Sequence, residues 1–134
     1  MAGDSRTPLA KKLGIKAGST VAFVQEPEGF ATTLGDLPDD VRIKRTARGP
    51  LDVIVFFTRR RAELQRRLEA LGRAIHPAGG LWIAWPKRAS GVATDISEDI
   101  VREVVLPLGL VDNKVCAIDA TWSGLRIVWR LERR

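Results

Sequence analysis

Nearly continuous apolar runs mark the strands of this chain. The longest occupies residues 51–57 (LDVIVFF), and shorter ones occupy residues 21–24 (VAFV) and 81–85 (LWIAW). Such runs are typical of strands buried on both faces, because a half-exposed strand shows a polar residue at every second position. Residues 41–44 (VRIK) do alternate, which predicts a half-exposed or edge strand. The pattern therefore predicts a sheet whose two faces are covered.

Helical spacing occurs in two segments that follow these strands. Between residues 60 and 75, and again between residues 96 and 108, apolar side chains recur three or four positions apart. This spacing gives a helix one apolar face. Asp95 and Glu98 have the spacing of a capping box, which predicts the start of the second helix. Both helices are therefore expected to pack on the sheet.

Shorter signals complete the order of elements. Thr7, followed by a proline, predicts a short helix through Leu13 with Thr7 as its N-cap. The sequence HPAGG at residues 76–80 predicts a turn between the first long helix and the next strand. Two final apolar segments, residues 111–118 and 124–131, are joined by a link short enough for a hairpin. We therefore expect these two strands to be antiparallel.

The order of strands and helices defines the fold class. Strands that alternate with helices predict an α/β fold in three layers, with a mostly parallel sheet and an antiparallel C-terminal strand. A chain of 134 residues is long enough for one packed core and is typical of one domain. We expect a single domain over residues 8–134 and a flexible N-terminus at residues 1–7.

The charge balance favours an anionic partner. The formal net charge is +6, from 22 Lys and Arg against 16 Asp and Glu, and clustered cations concentrate anions at a surface. Nucleic acid is one such partner. However, the basic segments at residues 42–48 and 59–67 contain no interleaved aromatic residue, and a charged edge strand and a solvated helix face explain them more simply.

Targeting and metal-binding signals are sparse. No apolar run approaches the roughly 18 residues of a membrane span, and no apolar leader precedes the domain, so we expect a cytoplasmic protein that does not bind membranes.

With one His and one Cys, no zinc site is predicted. Cys116 lies in an apolar run, which predicts a buried thiol. His76 ends a predicted helix, where capping is a simpler role than catalysis. Catalytic residues stay undetermined.

Polar residues follow the strands at the predicted carboxyl edge of the sheet, where open α/β sheets bind ligands. The loop of residues 85–95 combines two cations, two hydroxyls and a glycine ahead of a helix N-terminus, a setting that favours an anion. The alternatives are a solvated loop in which Thr94 or Asp95 caps the helix, and a hairpin turn at residues 119–123 with Trp122 packed on the core. The candidate ligand-binding residues are Thr58, Arg59, Trp85, Lys87, Arg88, Ser90, Gly91, Thr94, Asp95, Asp119, Trp122 and Ser123.

Several segments resemble known families. Residues 71–83 (LGRAIHPAGGLWI) are similar to a helix, proline-glycine turn and strand of class I S-adenosylmethionine-dependent methyltransferases, and residues 13–18 (LGIKAG) resemble the entry to their first strand. This resemblance implies a Rossmann-like domain with a truncated methyltransferase-like topology. Residues 79–87, 90–95, 115–119 and 122–125 also resemble a bacterial family of domains of unknown function, which has no established activity to carry over.

Two positions depart from the methyltransferase pattern. Those enzymes need a glycine-rich loop after the first strand, and they usually carry an acidic residue at the end of the second, for the ribose of the cofactor. Here the first loop reads QEPEGF at residues 25–30, and Pro27 removes a backbone donor. The second strand ends in Lys44-Arg45 instead of a carboxylate. The sequence therefore identifies no cofactor.

The leading hypothesis is a non-catalytic or degenerate methyltransferase-like domain. It would hold an anionic small molecule, or an acidic group of a protein partner, between the loop of residues 87–95 and the turn of residues 119–123. One alternative is a minimal S-adenosylmethionine-dependent methyltransferase. Another is a nucleic-acid-associated basic protein, and a homo-oligomer formed through the hairpin or an edge strand also stays open.

Overall fold

A computed structural model describes residues 7–134, except for the side chain of His76. The expected flexible N-terminus lies outside the described residues apart from Thr7, and the capping role of the His76 side chain also lies outside them. The strands of this range are β1 (Thr20–Val24), β2 (Arg42–Lys44), β3 (Leu51–Phe57), β4 (Ile75–Pro86), β5 (Leu110–Ala117) and β6 (Trp122–Trp129). The α-helices are α1 (Leu9–Lys12), α2 (Phe30–Leu34), α3 (Arg61–Ala74) and α4 (Glu98–Val105).

The strands form one sheet in the order β2-β1-β3-β4-β6-β5. The pairs β1–β2, β1–β3 and β3–β4 are parallel, whereas β6 is antiparallel to both of its neighbours, β4 and β5. This arrangement confirms the mostly parallel sheet with an antiparallel C-terminal strand. The predicted edge strand is confirmed as well, because β2 ends the sheet and all three of its residues are exposed.

Helices cover the two faces of the sheet, as the apolar runs predicted. Along β3, alternate side chains enter two separate hydrophobic clusters. Ile54 and Phe56 pack with the apolar faces of α3 and α4, while Val55 and Phe57 pack with α1 and α2. All four side chains are at most 1% exposed. The molecule is therefore a three-layer α/β domain with β3 at the centre of its sheet.

Strand β4 begins immediately after α3, without the turn predicted at residues 76–80. Ile75 pairs with Leu51 of β3, and Gly80 pairs with Val53. Five residue steps along β4 therefore lie opposite only two residue steps along β3. The additional residues of β4 form a bulge within a continuous strand. Proline and glycine fit a bulge because the strand ladder is interrupted there. The residues that suggested a turn are thus also compatible with a distorted strand.

Two of the predicted helix caps are wrong. Pro8, not Thr7, is the N-cap of α1, and no side chain caps this helix. The N-cap of α4 is Ser97, whose hydroxyl accepts a hydrogen bond from the Ile100 amide at 3.2 Å. The capping box expected from Asp95 and Glu98 is therefore absent, because α4 begins later than that spacing requires. Asp95 instead caps the neighbouring helix α3.

Two further expectations concern the burial of Cys116 and the presence of membrane-spanning helices. Cys116 on β5 is half-buried and not fully buried, because β5 is the last strand of the sheet. Burial raises the pKa of its thiol, although nearby Lys12 and Lys114 act in the opposite direction. Across residues 7–134, none of the helices has the length and apolar character needed to span a bilayer.

Candidate functional site

A cleft lies where the strand order reverses. Strand β2 lies on one side of β1 and β3 lies on the other, and such a topological switch point is where open α/β sheets bind ligands. The cleft has a volume of about 680 Å³, and we call it the switch-point cleft. Its lining residues are Gln25, Pro27, Phe57, Thr58, Arg59, Arg60, Ala62, Glu63, Arg66 and Trp122.

Three connected polar side chains lie in the switch-point cleft. Thr58 follows β3 and is only 2% exposed, and its hydroxyl donates a hydrogen bond to the carboxylate of Glu63 in the first turn of α3. Gln25 follows β1, and its amide nitrogen donates to the Phe57 carbonyl at 2.8 Å and to Glu63 Oε1 at 3.2 Å. These contacts tie the ends of β1 and β3 to the start of α3.

The Glu63 carboxylate is held in its ionised form. The hydrogen bond from Thr58 is the largest cause that lowers the pKa of this carboxyl, and burial opposes it. The hydrogen bond from Gln25 and the charges of Arg66 and Arg67 lower the pKa further. A carboxylate with a lowered pKa is a weak general base at neutral pH. In this structure Glu63 accepts the hydrogen bonds of both Thr58 and Gln25.

Arginines give the switch-point cleft its charge. Arg59, Arg60 and Arg66 line the cleft and are exposed, whereas Glu63 is the one carboxylate among the described lining residues. The guanidinium fork matches the geometry of carboxylates and phosphates. On the opposite wall, the half-buried ring of Trp122 contacts Phe57 edge-on, with the ring centroids 5.1 Å apart. The arrangement can bind an anion next to an aromatic surface.

A second, neighbouring cleft contains most of the loop residues that the sequence singled out. Its volume is about 490 Å³, and we call it the loop cleft. The Lys87 amide donates to the Thr121 carbonyl at 2.7 Å, which fixes the loop against the β5–β6 hairpin. The loop cleft is lined by Trp85, Pro86, Lys87, Arg88, Gly91, Val92, Ala93, Thr94, Ile96, Ser97, Glu98 and Ser123.

Nine of the twelve predicted candidates thus divide between two adjacent clefts, and Ser90, Asp95 and Asp119 line neither of them. Thr58, Arg59 and Trp122 line the switch-point cleft, while the second set lines the loop cleft and consists of Trp85, Lys87, Arg88, Gly91, Thr94 and Ser123. The backbone of Arg59 joins the two sites. Its carbonyl accepts hydrogen bonds from the Thr94 hydroxyl at 2.7 Å and from the Asp95 amide at 3.3 Å.

The three candidates that line neither cleft are Ser90, Asp95 and Asp119, and each has a side-chain oxygen in a hydrogen bond within the protein. The Ser90 hydroxyl donates to the Lys87 carbonyl at 2.6 Å. Asp95 Oδ1 accepts from the Arg61 amide at 2.7 Å and so caps α3. Asp119 Oδ1 accepts from the amides of Thr121 and Trp122, both at 2.8 Å. The contacts of Ser90 and Asp119 agree with the turn alternative, whereas Asp95 caps α3 and not the helix that follows the loop. A ligand contact for the three residues stays a prediction.

Sequence reasoning missed part of the switch-point cleft. Gln25 and Glu63 lie 38 positions apart, so only the parallel pairing of β1 with β3 brings them together. Arg60 and Arg66 belong to a basic segment for which the sequence predicts no site. The one usable signal is the position of Glu63, a carboxylate in the first turn of a helix that follows a predicted strand. Within residues 7–134, no cluster of three His, Cys, Asp or Glu side chains fits a metal ion.

The loop after β1 has an unusual backbone. Gln25 has a φ of 60°, in the left-handed region that non-glycine residues seldom adopt. This conformation directs the chain into Glu26 and Glu28, which are both exposed. Gly29, with a φ of 84°, then precedes helix α2. The loop therefore carries two carboxylates and one proline where a glycine-rich loop was the expected feature of a cofactor site.

Comparison of sequences finds no match, whereas comparison of structures finds proteins with a similar fold. No protein-family model and no curated protein matches the chain. Among solved structures, a SAM-dependent methyltransferase from Aquifex aeolicus is 18% identical with a TM-score of 0.63, over 89% of this chain and 86% of that one. A ribosomal protein L11 methylase from Lactobacillus delbrueckii subsp. bulgaricus is 13% identical with a TM-score of 0.59, over 91% of this chain and 75% of that one.

A third solved structure carries the demethylated cofactor product. It is the DhpI–SAH complex, which is 14% identical to this chain with a TM-score of 0.59, over 92% of this chain and 84% of that one. Identities this low describe the fold and not the activity. The resemblance to a bacterial family of unknown function stays a prediction. The chain has the Rossmann-like α/β fold of the S-adenosylmethionine-dependent methyltransferases.

Proposed function

We propose that this protein is a non-catalytic binding domain built on the methyltransferase fold, and that its switch-point cleft holds an anionic small molecule. The observation that carries the proposal is the set of three exposed arginines, Arg59, Arg60 and Arg66, around a site whose one described carboxylate is already hydrogen-bonded. Glu63 keeps its negative charge, but the three guanidinium groups outnumber it, so the cleft stays net positive toward an incoming anion.

The residues at this edge do not fit S-adenosylmethionine. Glu26 and Glu28 occupy the loop where a methyltransferase brings its backbone close to the cofactor, and this loop contains a single glycine, Gly29. Pro27 removes one backbone donor from that loop. Strand β2 ends in Lys44, followed by Arg45, so the carboxylate that would hold ribose hydroxyls is replaced by cations. We therefore assign no methyl-transfer step to this site.

The polar network supports binding in preference to acid–base chemistry. Glu63 is the titratable acid of the switch-point cleft, and its carboxylate accepts hydrogen bonds from Thr58 and Gln25. A general base must be free to accept a proton from the substrate. Because both hydrogen bonds also lower the pKa of Glu63, this carboxylate is suited to holding Thr58 and Gln25 in place.

The loop cleft offers a second place for the same chemistry. Lys87 and Arg88 line it, and Ser123 contributes a hydroxyl from the start of β6. The Arg59 carbonyl anchors the loop through Thr94, so the two clefts are neighbours. An acidic group of a protein partner that enters the loop cleft would therefore lie beside the small molecule in the switch-point cleft.

Calorimetric titration with defined anions tests the proposal. The probes are the anions ATP and glucose 6-phosphate, with zwitterionic S-adenosylhomocysteine as a comparison, at constant ionic strength, after a thermal-shift screen. For the anion that binds, the double variant Arg59→Ala/Arg66→Ala should weaken affinity at least about tenfold, which corresponds to roughly 1.4 kcal/mol. The matched control Arg73→Ala/Arg130→Ala removes the same charge outside both clefts and should leave the affinity unchanged.

The outcomes distinguish binding in the switch-point cleft from binding in the loop cleft, from an effect of net charge and from binding of nucleic acid. If Lys87→Ala/Arg88→Ala abolishes binding and the Arg59/Arg66 variant does not, the anion belongs to the loop cleft and the assignment to the switch-point cleft is wrong. If all three double variants weaken binding equally, the effect is one of net charge and no site exists at either cleft. Binding of an oligonucleotide with a steep salt dependence would instead support a nucleic-acid-associated protein.

A minimal methyltransferase is the second candidate. The observation in its favour is the fold itself, because the compared structures are methyltransferases and one of them holds SAH. It requires stoichiometric binding of S-adenosylmethionine or its demethylated product at the carboxyl edge of the sheet. Saturable binding of either compound, lost in the Arg59→Ala/Arg66→Ala variant, would favour this candidate over the non-catalytic one.

A further inference from the structure

A third cleft lies at the other edge of the sheet, where β1 and β3 begin, and it is also basic. It has a volume of about 590 Å³, and we call it the amino-edge cleft. Its walls are the segment after α1, the start of β3, the bulge of β4 and the middle of the β5–β6 hairpin. The charged or amide side chains that line it are Lys12, Lys16, Asp52, Asn113, Lys114 and Arg126.

Arg126 is the one arginine among the described residues that line the amino-edge cleft. It lies in the middle of β6, where it pairs with Trp82 of β4 and Lys114 of β5, and its side chain is half-buried. The guanidinium lies over the backbone of Gly80. A methyl group at position 80 would be only 2.8 Å from the Cζ atom of Arg126, so the glycine makes room for the guanidinium.

The charge of Arg126 is poorly compensated. Its hydrogen-bond partner is Asn113, whose side-chain oxygen accepts from Nη1 at a long 3.4 Å. Among the described residues, no carboxylate forms an ion pair with Arg126. Burial lowers the pKa of this guanidinium, and the nearby charge of Arg134 adds to the effect. A half-buried cation without a counter-ion loses part of its hydration, and a bound anion would offset that cost.

Asp52 is the one carboxylate among the described residues that line the amino-edge cleft, and it has another partner. Asp52 Oδ2 accepts a hydrogen bond from the Thr20 amide at 2.8 Å, which joins the start of β1 to β3. Lys16 and Lys114 are exposed at the rim of the cleft. The cleft thus has several cations and one carboxylate that already serves the fold.

We propose that the amino-edge cleft binds a phosphate-bearing small molecule, with Arg126 contacting the phosphate and Lys16 and Lys114 flanking it. Phosphate is favoured because a guanidinium pairs with two of its oxygens at once, while lysines interact with it as point charges. The volume lies in the range of small-molecule sites. This site is separate from the switch-point cleft and does not depend on the function proposed for that cleft.

Titration with pyrophosphate, followed by calorimetry at constant ionic strength, tests the proposal. Arg126→Gln keeps the aliphatic stem and removes the charge, so it should weaken pyrophosphate binding at least about tenfold without lowering the Tm of the free protein. Gly80→Ala keeps the charge and displaces the flexible end of Arg126, so it should also weaken binding. Unchanged affinity in both variants would overturn the proposal.

A matched pair of surface variants keeps the test valid if the strand variants fold poorly. Lys16→Gln/Lys114→Gln should weaken binding severalfold, while Lys11→Gln/Arg130→Gln, which removes the same charge outside the cleft, should not. Equal effects in the two would contradict a site here.

Two further arms distinguish a small-molecule site in the amino-edge cleft from binding in the switch-point cleft and from binding of a polymer. Pyrophosphate binding that is lost in Arg59→Ala/Arg66→Ala and retained in Arg126→Gln would place the pyrophosphate in the switch-point cleft and overturn this proposal alone. A single-stranded oligonucleotide that binds more tightly than pyrophosphate in an Arg126-dependent way would identify a polymer as the ligand, and would likewise overturn the proposal of a small molecule.

Discussion

Replacing Glu63 by alanine removes the acceptor of the Thr58 hydroxyl, and Thr58 is only 2% exposed. A buried polar group that loses its partner costs roughly 1–3 kcal/mol, and a hydrogen bond to a charged acceptor lies in the upper part of the range for hydrogen bonds. The Gln25 amide loses the same acceptor but keeps the Phe57 carbonyl. We therefore expect Glu63→Ala to lower the free energy of unfolding by about 2 kcal/mol.

A double-mutant cycle isolates the Thr58–Glu63 contact. Thr58→Val replaces the hydroxyl by a methyl group of similar shape, and Glu63→Ala removes the acceptor. Urea unfolding of the two single variants and the double variant gives their coupling, which we expect to be about 1 kcal/mol because the residues are in direct contact. Additive effects, or a Glu63→Ala variant as stable as the parent, would refute the structural role assigned to this carboxylate.

The same contact predicts a pH dependence. Because folding lowers the pKa of Glu63, the unfolded state takes up a proton before the folded state does. The stabilisation is therefore fully present above the ordinary pKa of 4.5 and is lost as the pH falls through the lower folded value. The stability difference between the parent and Glu63→Ala should shrink below that pH. A difference that stays constant under acid conditions would count against the ionised carboxylate.

Three further variants test the fold. Ile54→Asp places a charge at a fully buried position of β3 and should prevent folding; a native circular dichroism spectrum would show that the core is misplaced. Asp95→Ala removes the contact with the Arg61 amide and should cost about 1 kcal/mol in urea unfolding; a variant as stable as the parent would refute this cap of α3. Trp82→Phe leaves the Leu13 carbonyl without its indole donor at 3.0 Å and should cost about 2 kcal/mol; an unchanged Tm would argue against docking of the N-terminal segment through this bond.

The strands could be predicted because a strand that is buried on both faces has a nearly continuous run of apolar residues in the sequence. The run at residues 51–57 is apolar almost throughout, and it forms the central strand β3. The bulge at residues 76–80 was not predictable in the same way. Proline and glycine signal an interruption of regular structure, but they do not say whether the chain turns or continues as a distorted strand. Pairing with Leu51 and Val53 decides that question.

The candidate site was only partly predictable because its contacts are non-local. Thr58 and Arg59 could be assigned to the carboxyl edge since they follow a strong strand. Gln25 could not be assigned to Glu63, because their contact depends on which strands are neighbours. Asp95 is instructive in the same way: its spacing to Glu98 favoured a cap on its own helix, whereas the loop geometry turns it toward the Arg61 amide.

Calorimetric titration with S-adenosylmethionine tests the central claim most directly. The claim is that a methyltransferase fold here carries an anion-binding cleft in place of a cofactor site. We expect no saturable binding up to millimolar concentrations of S-adenosylmethionine, while a simple anion binds and loses affinity in Arg59→Ala/Arg66→Ala. Stoichiometric binding of S-adenosylmethionine in the micromolar range, weakened by that same double variant, would contradict the account and identify the switch-point cleft as a cofactor site.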